Sequence, residues 1–444
     1  MAHIRHLLNG MSLNSKWWSK SKSKVLAWLA RNTSSLLGVN ASFLLGSSWW
    51  VNVEKAARIG SELGIVVLLA RLSSKEFLGQ YQLLLSMLTI LSVMTLMGFN
   101  GPLLRALARG YDGTLRKVER ATWWFSGFGA VALLMSGIIA IFLKQGIVGR
   151  ALLITALFFP FYNVFKRWDI VLQSKEKYKE RAIYYLFIAV TLLIVIYTLA
   201  NREAVNSTDI FIAYLLVNTL YGLIFYSISR KHLVNDKIET GWMESGFKLY
   251  VADLFNVAYA HVDKIALGVV LGTEAVAIYS VASKVGEAVK LVIGNIVSVY
   301  IPKMYKAGSE TVLLVIKRMR WRILGGMIFI LLVLWVGAPW IVGLLFSSKY
   351  ESSIVYLRWY NFVIPFHFIA SIWGQLLIRE RQELVFTGAT MIAGIVNILL
   401  YVLLIPVLGI MGAVIASVFY YIVLAYMYWR GLKKFRSGLE NVSS

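Results

Sequence analysis

The stretch of sequence that decides the fold spans residues 246–300 and reads GFKLYVADLFNVAYAHVDKIALGVVLGTEAVAIYSVASKVGEAVKLVIGNIVSVY. It predicts two membrane-spanning helices, at about residues 246–271 and 274–300, joined by the tight turn Leu271-Gly272-Thr273. Both helices contain charged residues, and a charge at the middle of a bilayer costs at least about 3 kcal/mol on insertion scales. These residues therefore need an aqueous cavity or a partner: Asp253, Asp263, Lys264, Lys284, Glu287 and Lys290.

The overall composition is that of a membrane protein. The 444 residues are 59% apolar and 15% charged, whereas soluble chains are about 45–50% apolar and about 25% charged. The formal net charge of +23 does not indicate a nucleic-acid partner, because the Lys and Arg residues fall in short clusters between apolar runs. Cysteine is absent, so we expect no disulfide framework and no thiolate metal site, and the sequence indicates no cofactor.

Segments long and apolar enough to cross a bilayer occur twelve times along the chain. The predicted fold is therefore an all-α polytopic membrane protein with twelve transmembrane helices. The predicted spans lie at about residues 46–70, 77–100, 121–143, 150–173, 182–200, 209–229, 246–271, 274–300, 321–346, 354–378, 384–406 and 409–429.

Basic residues are concentrated in the loops on one side of the predicted bundle. The positive-inside rule places that side, with both termini, in the cytoplasm. Residues 1–41 are expected to form a basic cytoplasmic segment and not a cleavable signal peptide, because no apolar core with a small-residue cleavage site precedes the first span. The loops on the other side contain few basic residues: Arg71, Lys75, Lys144, Arg150, Arg202 and Lys349.

A weak internal repeat predicts two six-helix bundles. The segment LSSKEFLGQY at residues 72–81 parallels LGTEAVAIY at 271–279, and Pro102 and Pro160 recur in the same order as Pro302 and Pro365. Because each half contains an even number of spans, the halves have the same orientation and enclose a central cavity between them. The predicted bundles are residues 42–230 and 246–430, joined by a cytoplasmic linker, residues 231–245, and followed by a cytoplasmic tail, residues 431–444.

Three segments resemble a known family. DKIALGVVLGTEAVAIYSVASK at residues 263–284, LARLSSKEFLGQY at 69–81 and PVLGIMGA at 406–413 are similar to polysaccharide flippases of the Wzx type. These belong to the multidrug, oligosaccharidyl-lipid and polysaccharide exporter (MOP) superfamily. The chain departs from the common pattern at Ser73-Ser74, where a Gly-Pro-like turn is frequent, and in its longer N-terminal extension.

This resemblance implies a transporter and not an enzyme. Its substrate would be an undecaprenyl diphosphate-linked oligosaccharide, such as the O-antigen repeat unit of lipopolysaccharide biosynthesis. Alternating access would carry it from the inner to the outer leaflet of the bacterial inner membrane. The implied partners are this glycan, membrane lipid, a polysaccharide polymerase and a chain-length regulator, and the protein itself is expected to be a monomer. The sequence does not identify the sugar.

Moving an anionic diphosphate across a bilayer requires a wet cationic cavity. In the first span Glu54, Arg58 and Glu62 recur every four residues and so share one helix face. The seventh and eighth spans carry similar polar stripes, and the equivalence of spans one and seven suggests opposite walls of one cavity. The cations predicted to line the cavity are Arg58, Lys264, Lys284, Lys55, Lys290, Lys166 and Arg167.

Each of these predictions has a structural alternative. Glu54 with Arg58, and Lys284 with Glu287, are spaced to neutralise each other along their own helices. Lys264 should be less easily neutralised by Asp263, because adjacent side chains point in different directions. Long basic side chains near span ends also reach the interface without touching substrate; this applies to Lys166, Arg167 and Arg358. The aromatic residues near span ends are expected to form an interfacial belt: Trp123, Trp124, Trp340, Tyr420 and Tyr421.

Two prolines are candidates for bending points in transport, and five carboxylates are candidates for coupling transport to an ion. Pro160 and Pro365 interrupt equivalent helices and are predicted either to be hinges for alternating access or to make kinks for packing. A buried carboxylate with a raised pKa can exchange a proton, and the sequence leaves proton, sodium and no coupling open. The candidates for coupling or charge pairing are Glu54, Glu62, Asp253, Asp263 and Glu287.

Two other functions fit a polytopic chain. An integral-membrane glycan polymerase or transferase usually needs a large extracytoplasmic loop with catalytic groups, whereas the longest predicted outer loop, around residues 201–209, has about ten residues. A cation-coupled drug or metabolite antiporter of the same superfamily would be expected to have a more acidic cavity. No phosphate-binding glycine loop of the form G-x-x-x-x-G-K-[S/T] occurs, which argues against ATP hydrolysis by this chain.

Overall fold

The computed structural model describes residues 41–93, 95–96, 99–144, 146–307, 309–380 and 382–443, and within these ranges it contains helices and turns but no strand. The described part of the first half, from Ala41 on, contributes eight α-helices and one 3-10 turn, Arg230–His232. The eight are α1 (Ala41–Leu72), α2 (Lys75–Val93), α3 (Asn100–Ala108), α4 (Thr114–Phe142), α5 (Gly146–Phe165), α6 (Trp168–Ser174), α7 (Tyr178–Ala200) and α8 (Ser207–Ser229).

The second half contributes seven α-helices and a 3-10 turn, Ser348–Tyr350. Gly272, with φ of +85°, makes the tight turn between the first two of them, a backbone conformation that glycine adopts without strain. The seven are α9 (Trp242–Leu271), α10 (Thr273–Ala307), α11 (Ser309–Phe346), α12 (Ser353–Tyr360), α13 (Val363–Arg379), α14 (Glu383–Leu408) and α15 (Ile410–Ser443).

Every one of the twelve predicted spans coincides with one helix or with two consecutive helices, which confirms the all-α membrane fold. Among the described residues, nine segments are long and apolar enough to cross a membrane by length and composition alone. The other three spans correspond to α1, α9 and α10, the helices with the intramembrane charges that lower mean hydropathy. The predicted segment 1–41 lies outside the described residues except for Ala41.

Two of the predicted spans are interrupted within the described residues. Span four is divided into α5 and α6 after Phe165, and span ten into α12 and α13 at Asn361 and Phe362. Span two corresponds to α2, and α3 begins at its last residue, Asn100. Pro160 lies inside the continuous part of α5, whereas Pro365 lies in the first turn of α13, where a missing N–H costs no intrahelical hydrogen bond. The two prolines are therefore not structurally equivalent, and their role as hinges stays a prediction.

Corresponding helices of the two halves pack in corresponding ways. Helix α1 packs along α7, and its counterpart α9 packs along α14. Tyr81 on α2 and Tyr279 on α10, which the sequence repeat pairs, are both fully buried. The two halves meet chiefly where α2 lies against α9 and α10.

The halves are tied together at the end with few basic loops. Lys75 Nζ lies 2.7 Å from Glu274 Oε1, and Lys349 Nζ donates to the Ser73 carbonyl oxygen at 3.3 Å. A Cβ atom on Gly79 would lie 1.7 Å from the Thr273 carbonyl oxygen, so only glycine permits this approach of α2 to α10. This end of the interface is closed.

At the opposite end, the linker between the halves is fixed to the loop before α4. The buried Asp112 carboxylate accepts hydrogen bonds from Lys175 Nζ at 2.7 Å and from the Val234 N–H at 2.8 Å. The Gly113 N–H donates to the Lys237 carbonyl oxygen at 2.9 Å. Burial alone would raise the pKa of Asp112, but these hydrogen bonds outweigh it and hold the pKa below its ordinary value.

Replacing Asp112 with Asn is expected to cost about 1–3 kcal/mol at pH 7, because Lys175 then loses its charged partner. A carboxylate with a lowered pKa stabilises the fold above its unfolded pKa of about 3.9 and loses that effect as the pH falls through the folded value. The difference between variant and wild type should therefore shrink below about pH 4. Unfolding in detergent at several pH values measures this difference in the free energy of unfolding. Asp236→Asn is the matched control, because Asp236 forms an exposed ion pair with Arg116. Equal losses in the two variants would contradict the role of Asp112.

The orientation can be tested on intact cells, because the chain has no native cysteine. Glu203 lies in the exposed loop between α7 and α8, and Lys231 is the first residue of the linker at the basic end, so each can be replaced by Cys as a label site. A membrane-impermeant thiol reagent is expected to label Glu203→Cys, and to label Lys231→Cys only after the cells are opened. The reverse pattern would show that the positive-inside assignment is wrong for this protein.

Candidate functional site

The charged residues of α1 form an ion-pair cluster inside the first half. Buried Glu54 lies 3.4 Å from Arg58 NH1 and 2.8 Å from Arg181 NH1 of α7. Arg181 also pairs with Asp169, and both guanidinium groups lie near the Tyr185 ring, at 5.2 Å for Arg58 and 5.9 Å for Arg181. The predicted Glu54–Arg58 pair is thus present, but it belongs to a larger cluster that joins α1, α6 and α7.

A second set of charges crosses from one half to the other. Lys284 Nζ on α10 lies 3.5 Å from Glu62 Oε2 on α1 and 3.2 Å from Glu287 Oε2 on its own helix. The side chains of Glu62 and Arg58 are 60% and 49% exposed, so protein atoms cover neither fully. Because charged groups facing hydrocarbon are costly, we infer that this face of α1 borders water.

Lys290 lies about one turn beyond Glu287 on α10, in an aromatic environment. Its ammonium group donates to Tyr360 OH at 3.4 Å and to Tyr421 OH at 3.5 Å, and lies 5.6 and 5.1 Å from the centres of the two rings. It is half-buried and makes no ion pair with a carboxylate among the side chains that the structure describes. Hydroxyl groups and ring faces are its direct contacts, and Glu287 one turn before it attracts its charge without forming an ion pair, so an anion that reached Lys290 would find a cation without a bound carboxylate.

Asp263 and Lys264 lie in a polar network inside the second half, within electrostatic range of Glu287. Both are buried, and Lys264 Nζ lies 3.8 Å from Asp263 Oδ1 and 6.0 Å from the centre of the Tyr279 ring. Tyr279 OH and Tyr401 OH each lie 3.0 Å from Ser417 Oγ. Lys264 was expected to be less easily neutralised by the adjacent Asp263, but this carboxylate is its partner, because the two side chains point toward each other.

Arg167, Lys166 and Arg358 make contacts elsewhere. Arg167 is buried in the first half, where it contacts Asn100 and donates to the backbone oxygens of Thr95 and Leu96 and to Thr122 Oγ1. Lys166 is exposed, with its ammonium group 5.4 Å from the centre of the Tyr162 ring. Lys55 is half-buried on α1. Arg358 donates to the Trp335 carbonyl oxygen at 3.0 Å.

The remaining predictions have mixed outcomes. The side chain of Asp253 lies outside the described residues. The expectation that Tyr420 and Tyr421 belong to an interfacial belt is wrong: Tyr420 is buried and stacks on Tyr259 at 4.0 Å, and Tyr421 contacts Lys290. Trp123, Trp124 and Trp340 are exposed, as expected for a belt.

Sequence reasoning missed the residues that complete the two clusters. Arg181 and Asp169 lie near the ends of spans in positions typical of basic and acidic loop residues, and no local pattern distinguished them. Tyr360 and Tyr421 come from two further helices, so only the fold brings them to Lys290. Among the described residues no cluster of His, Cys, Asp and Glu is arranged to hold a metal ion.

Comparisons with known proteins agree on the class of protein. A family model described as polysaccharide biosynthesis protein matches residues 57–307. No curated protein is significantly similar to the chain in sequence.

Solved structures share the fold at low sequence identity. A multidrug resistance MATE family transporter of the MOP superfamily, in an inward-facing conformation, superposes with a TM-score of 0.65 and 13% identity, over 90% of this chain and 100% of that chain. The lipid II flippase MurJ, in an inward closed conformation, superposes with a TM-score of 0.64 and 15% identity, over 86% and 87% of the two chains. An outward-facing MATE family transporter gives 0.57 and 14% identity, over 89% and 96%. The chain thus has the fold of MOP-superfamily transporters, and the matched proteins are transporters and not enzymes.

Proposed function

Because the chain belongs to the polysaccharide biosynthesis protein family, and its fold is that of MOP-superfamily transporters, we propose that it is a lipid-linked oligosaccharide flippase. It moves an undecaprenyl diphosphate-linked glycan, such as an O-antigen repeat unit, from the inner to the outer leaflet of the bacterial inner membrane. The lipid II flippase with the same fold supports a substrate that is a lipid with a glycan head. Both termini then lie in the cytoplasm.

The observation that carries this proposal is the set of charges between the two halves. Glu62 on α1 pairs with Lys284 on α10, which also pairs with Glu287. Arg58 lies one turn before Glu62 on α1, and Lys290 lies about one turn beyond Glu287 on α10. Two halves that move against each other would open and close around these groups. Such an interface offers cations to a diphosphate at the place where alternating access needs them.

In the proposed cycle the substrate phosphates exchange partners with protein carboxylates. The first contact is made by Lys290, which forms no ion pair among the described side chains, and the phosphates then compete with Glu62 for Lys284. Charge-assisted contacts to phosphate are strong enough to offset the loss of one half-exposed ion pair. Losing the Glu62–Lys284 contact also releases one tie between the halves.

The remaining steps follow from the closed end of the interface. The contacts of Lys75 with Glu274 and of Lys349 with Ser73 hold the end with few basic loops shut. Substrate then enters from the basic end, and export requires these contacts to break. Pro160 and Pro365 are proposed as the points where α5 and α13 bend. Glu62 is the carboxylate best placed for coupling, because its side chain is exposed beside Arg58 and Lys284.

The proposal is tested with the purified full-length chain in vesicles that contain an undecaprenyl diphosphate-linked glycan. A membrane-impermeant lectin should bind about half of the glycan in protein-free vesicles and more with time when the protein is present. No difference from protein-free vesicles would overturn the proposal. Exchange of a cationic drug for protons in the same vesicles, without glycan movement, would establish the alternative, a drug or metabolite antiporter.

A further inference from the structure

A cavity of about 420 Å³ lies on the surface of the first half, outside the interface with the second half, at the basic end of α4. Its lining residues recur at helical spacing, so they form one stripe along the helix. The stripe consists of two arginines, one glutamate, two tryptophans and a glycine: Arg116, Arg120, Glu119, Trp123, Trp124 and Gly127.

The cavity offers positive charge that the protein neutralises only in part. Arg116 NH1 lies 2.9 Å from Asp236 Oδ1, but both side chains are mostly exposed, and such pairs contribute little. Arg120 is exposed and makes no ion pair among the described side chains. The carboxylate Glu119 accepts a hydrogen bond from Tyr226 OH, and Arg230 lies 5.6 Å from the Tyr226 ring centre. The net charge around the cavity is therefore positive.

The cavity continues into an apolar surface of the length of a fatty acyl chain. Trp123 packs edge-on against Phe161, with ring centres 5.3 Å apart, which fixes one wall between α4 and α5. Trp124 is 72% exposed, and tryptophans in this position typically lie at the level of lipid headgroups. Beyond it, exposed apolar side chains continue to the far end of α4: Phe128, Val131, Met135, Ile139 and Phe142.

From this arrangement we propose that the stripe on α4 binds an anionic phospholipid of the surrounding membrane. Arg116 and Arg120 contact the phosphate, Trp124 lies against the glycerol region, and an acyl chain follows the apolar face of the helix. Basic pockets between membrane helices at the headgroup level are suited to anionic lipids, and the continuous apolar face explains why the ligand is a lipid and not a free phosphate. The site lies outside the interface of the two halves, so the proposal does not depend on the transported substrate.

Native mass spectrometry of the purified full-length protein tests it, with phosphatidylglycerol and phosphatidylcholine of identical acyl chains as probes. Wild type should retain phosphatidylglycerol preferentially. In Arg116→Gln/Arg120→Gln the affinity for phosphatidylglycerol should fall about 30-fold, since each basic residue near an anionic headgroup contributes about fivefold. Gly127→Leu should weaken binding without any change in charge. Its Cβ meets no atom within 4 Å, so the fold is preserved while the cavity is filled.

Matched controls separate the cavity from general electrostatics. Lys117→Gln/Lys231→Gln removes two exposed charges at the same end, and Gly325→Leu adds the same side chain at another open glycine, on α11. Both controls should bind phosphatidylglycerol within about twofold of wild type. Equal retention of both phospholipids by wild type, or full retention by both cavity variants, would overturn the proposal. So would displacement of phosphatidylglycerol by undecaprenyl diphosphate, because the stripe would then be a substrate site.

Discussion

Replacing Lys290 with Met is expected to reduce glycan movement by about 10-fold to 100-fold, because one charge-assisted contact to a phosphate contributes about 1.5–3 kcal/mol. Lys290 is a half-buried cation of α10 whose direct contacts are tyrosine hydroxyls and ring faces instead of a carboxylate among the described side chains. Its removal leaves no buried carboxylate without a partner, so the yield of folded protein should not change. The lectin assay in vesicles gives the rate, and size-exclusion chromatography gives the folded fraction.

Lys433→Met is the matched control for Lys290→Met. Lys433 also places its ammonium group over an aromatic ring, 5.5 Å from the Trp429 ring centre, but it is exposed at the end of the bundle. Lys290→Arg should keep most of the rate, because a guanidinium also binds phosphate. A rate for Lys290→Met equal to that of Lys433→Met would remove Lys290 from the proposed route.

Replacing Arg181 with Met is expected to destabilise the protein by about 3–5 kcal/mol, the typical cost of breaking a buried ion pair by removing one partner. Arg181 is shared by Glu54 and Asp169, and its side chain is only 10% exposed. Without it two carboxylates of the first half face each other with Arg58 as the remaining nearby cation. Unfolding in mixed micelles with increasing sodium dodecyl sulfate measures the loss.

A surface ion pair close to Arg181 provides the comparison. Lys177 Nζ lies 3.5 Å from Glu180 Oε1, and the two side chains are 44% and 37% exposed. Lys177→Met should therefore cost less than about 1 kcal/mol. Arg181→Lys should recover part of the stability, because it keeps the charge but cannot bridge two carboxylates as a planar guanidinium does. If Arg181→Met were as stable as Lys177→Met, the cluster would not hold α1 to α7.

The helices could be predicted from sequence to a large extent, including those that carry charges. The turn at Gly272 could be predicted because a glycine separates two apolar segments. In the structure one helix ends at Leu271 and the next begins at Thr273. The interruption of span ten at Asn361 could not be predicted from the sequence, because the local signal, Pro365, indicated a break four residues later. A break in a membrane helix depends on which neighbours satisfy the freed backbone groups, and these come from other parts of the chain.

The candidate site was predicted in its components but not in its arrangement. Helical spacing correctly placed Glu54, Arg58 and Glu62 along one face of α1. It did not predict that Glu54 is buried against α7 while Glu62 contacts α10. Lys264 and Lys290 looked alike as intramembrane lysines. The fold buries Lys264 against Asp263 and leaves Lys290 between two tyrosines.

The sequence by itself determined that this chain crosses a membrane with helices in two repeated halves. Span length and hydropathy follow from the thickness and apolarity of the bilayer, and the repeat is visible in the sequence itself. It also determined which residues had to find a polar partner. Only the tertiary structure decided which partners they found, because ion pairs such as Glu62–Lys284 join residues far apart in sequence. A charge inside the membrane is unfavourable wherever it lies. The packing of the helices decides whether a carboxylate, a tyrosine or water stabilises it.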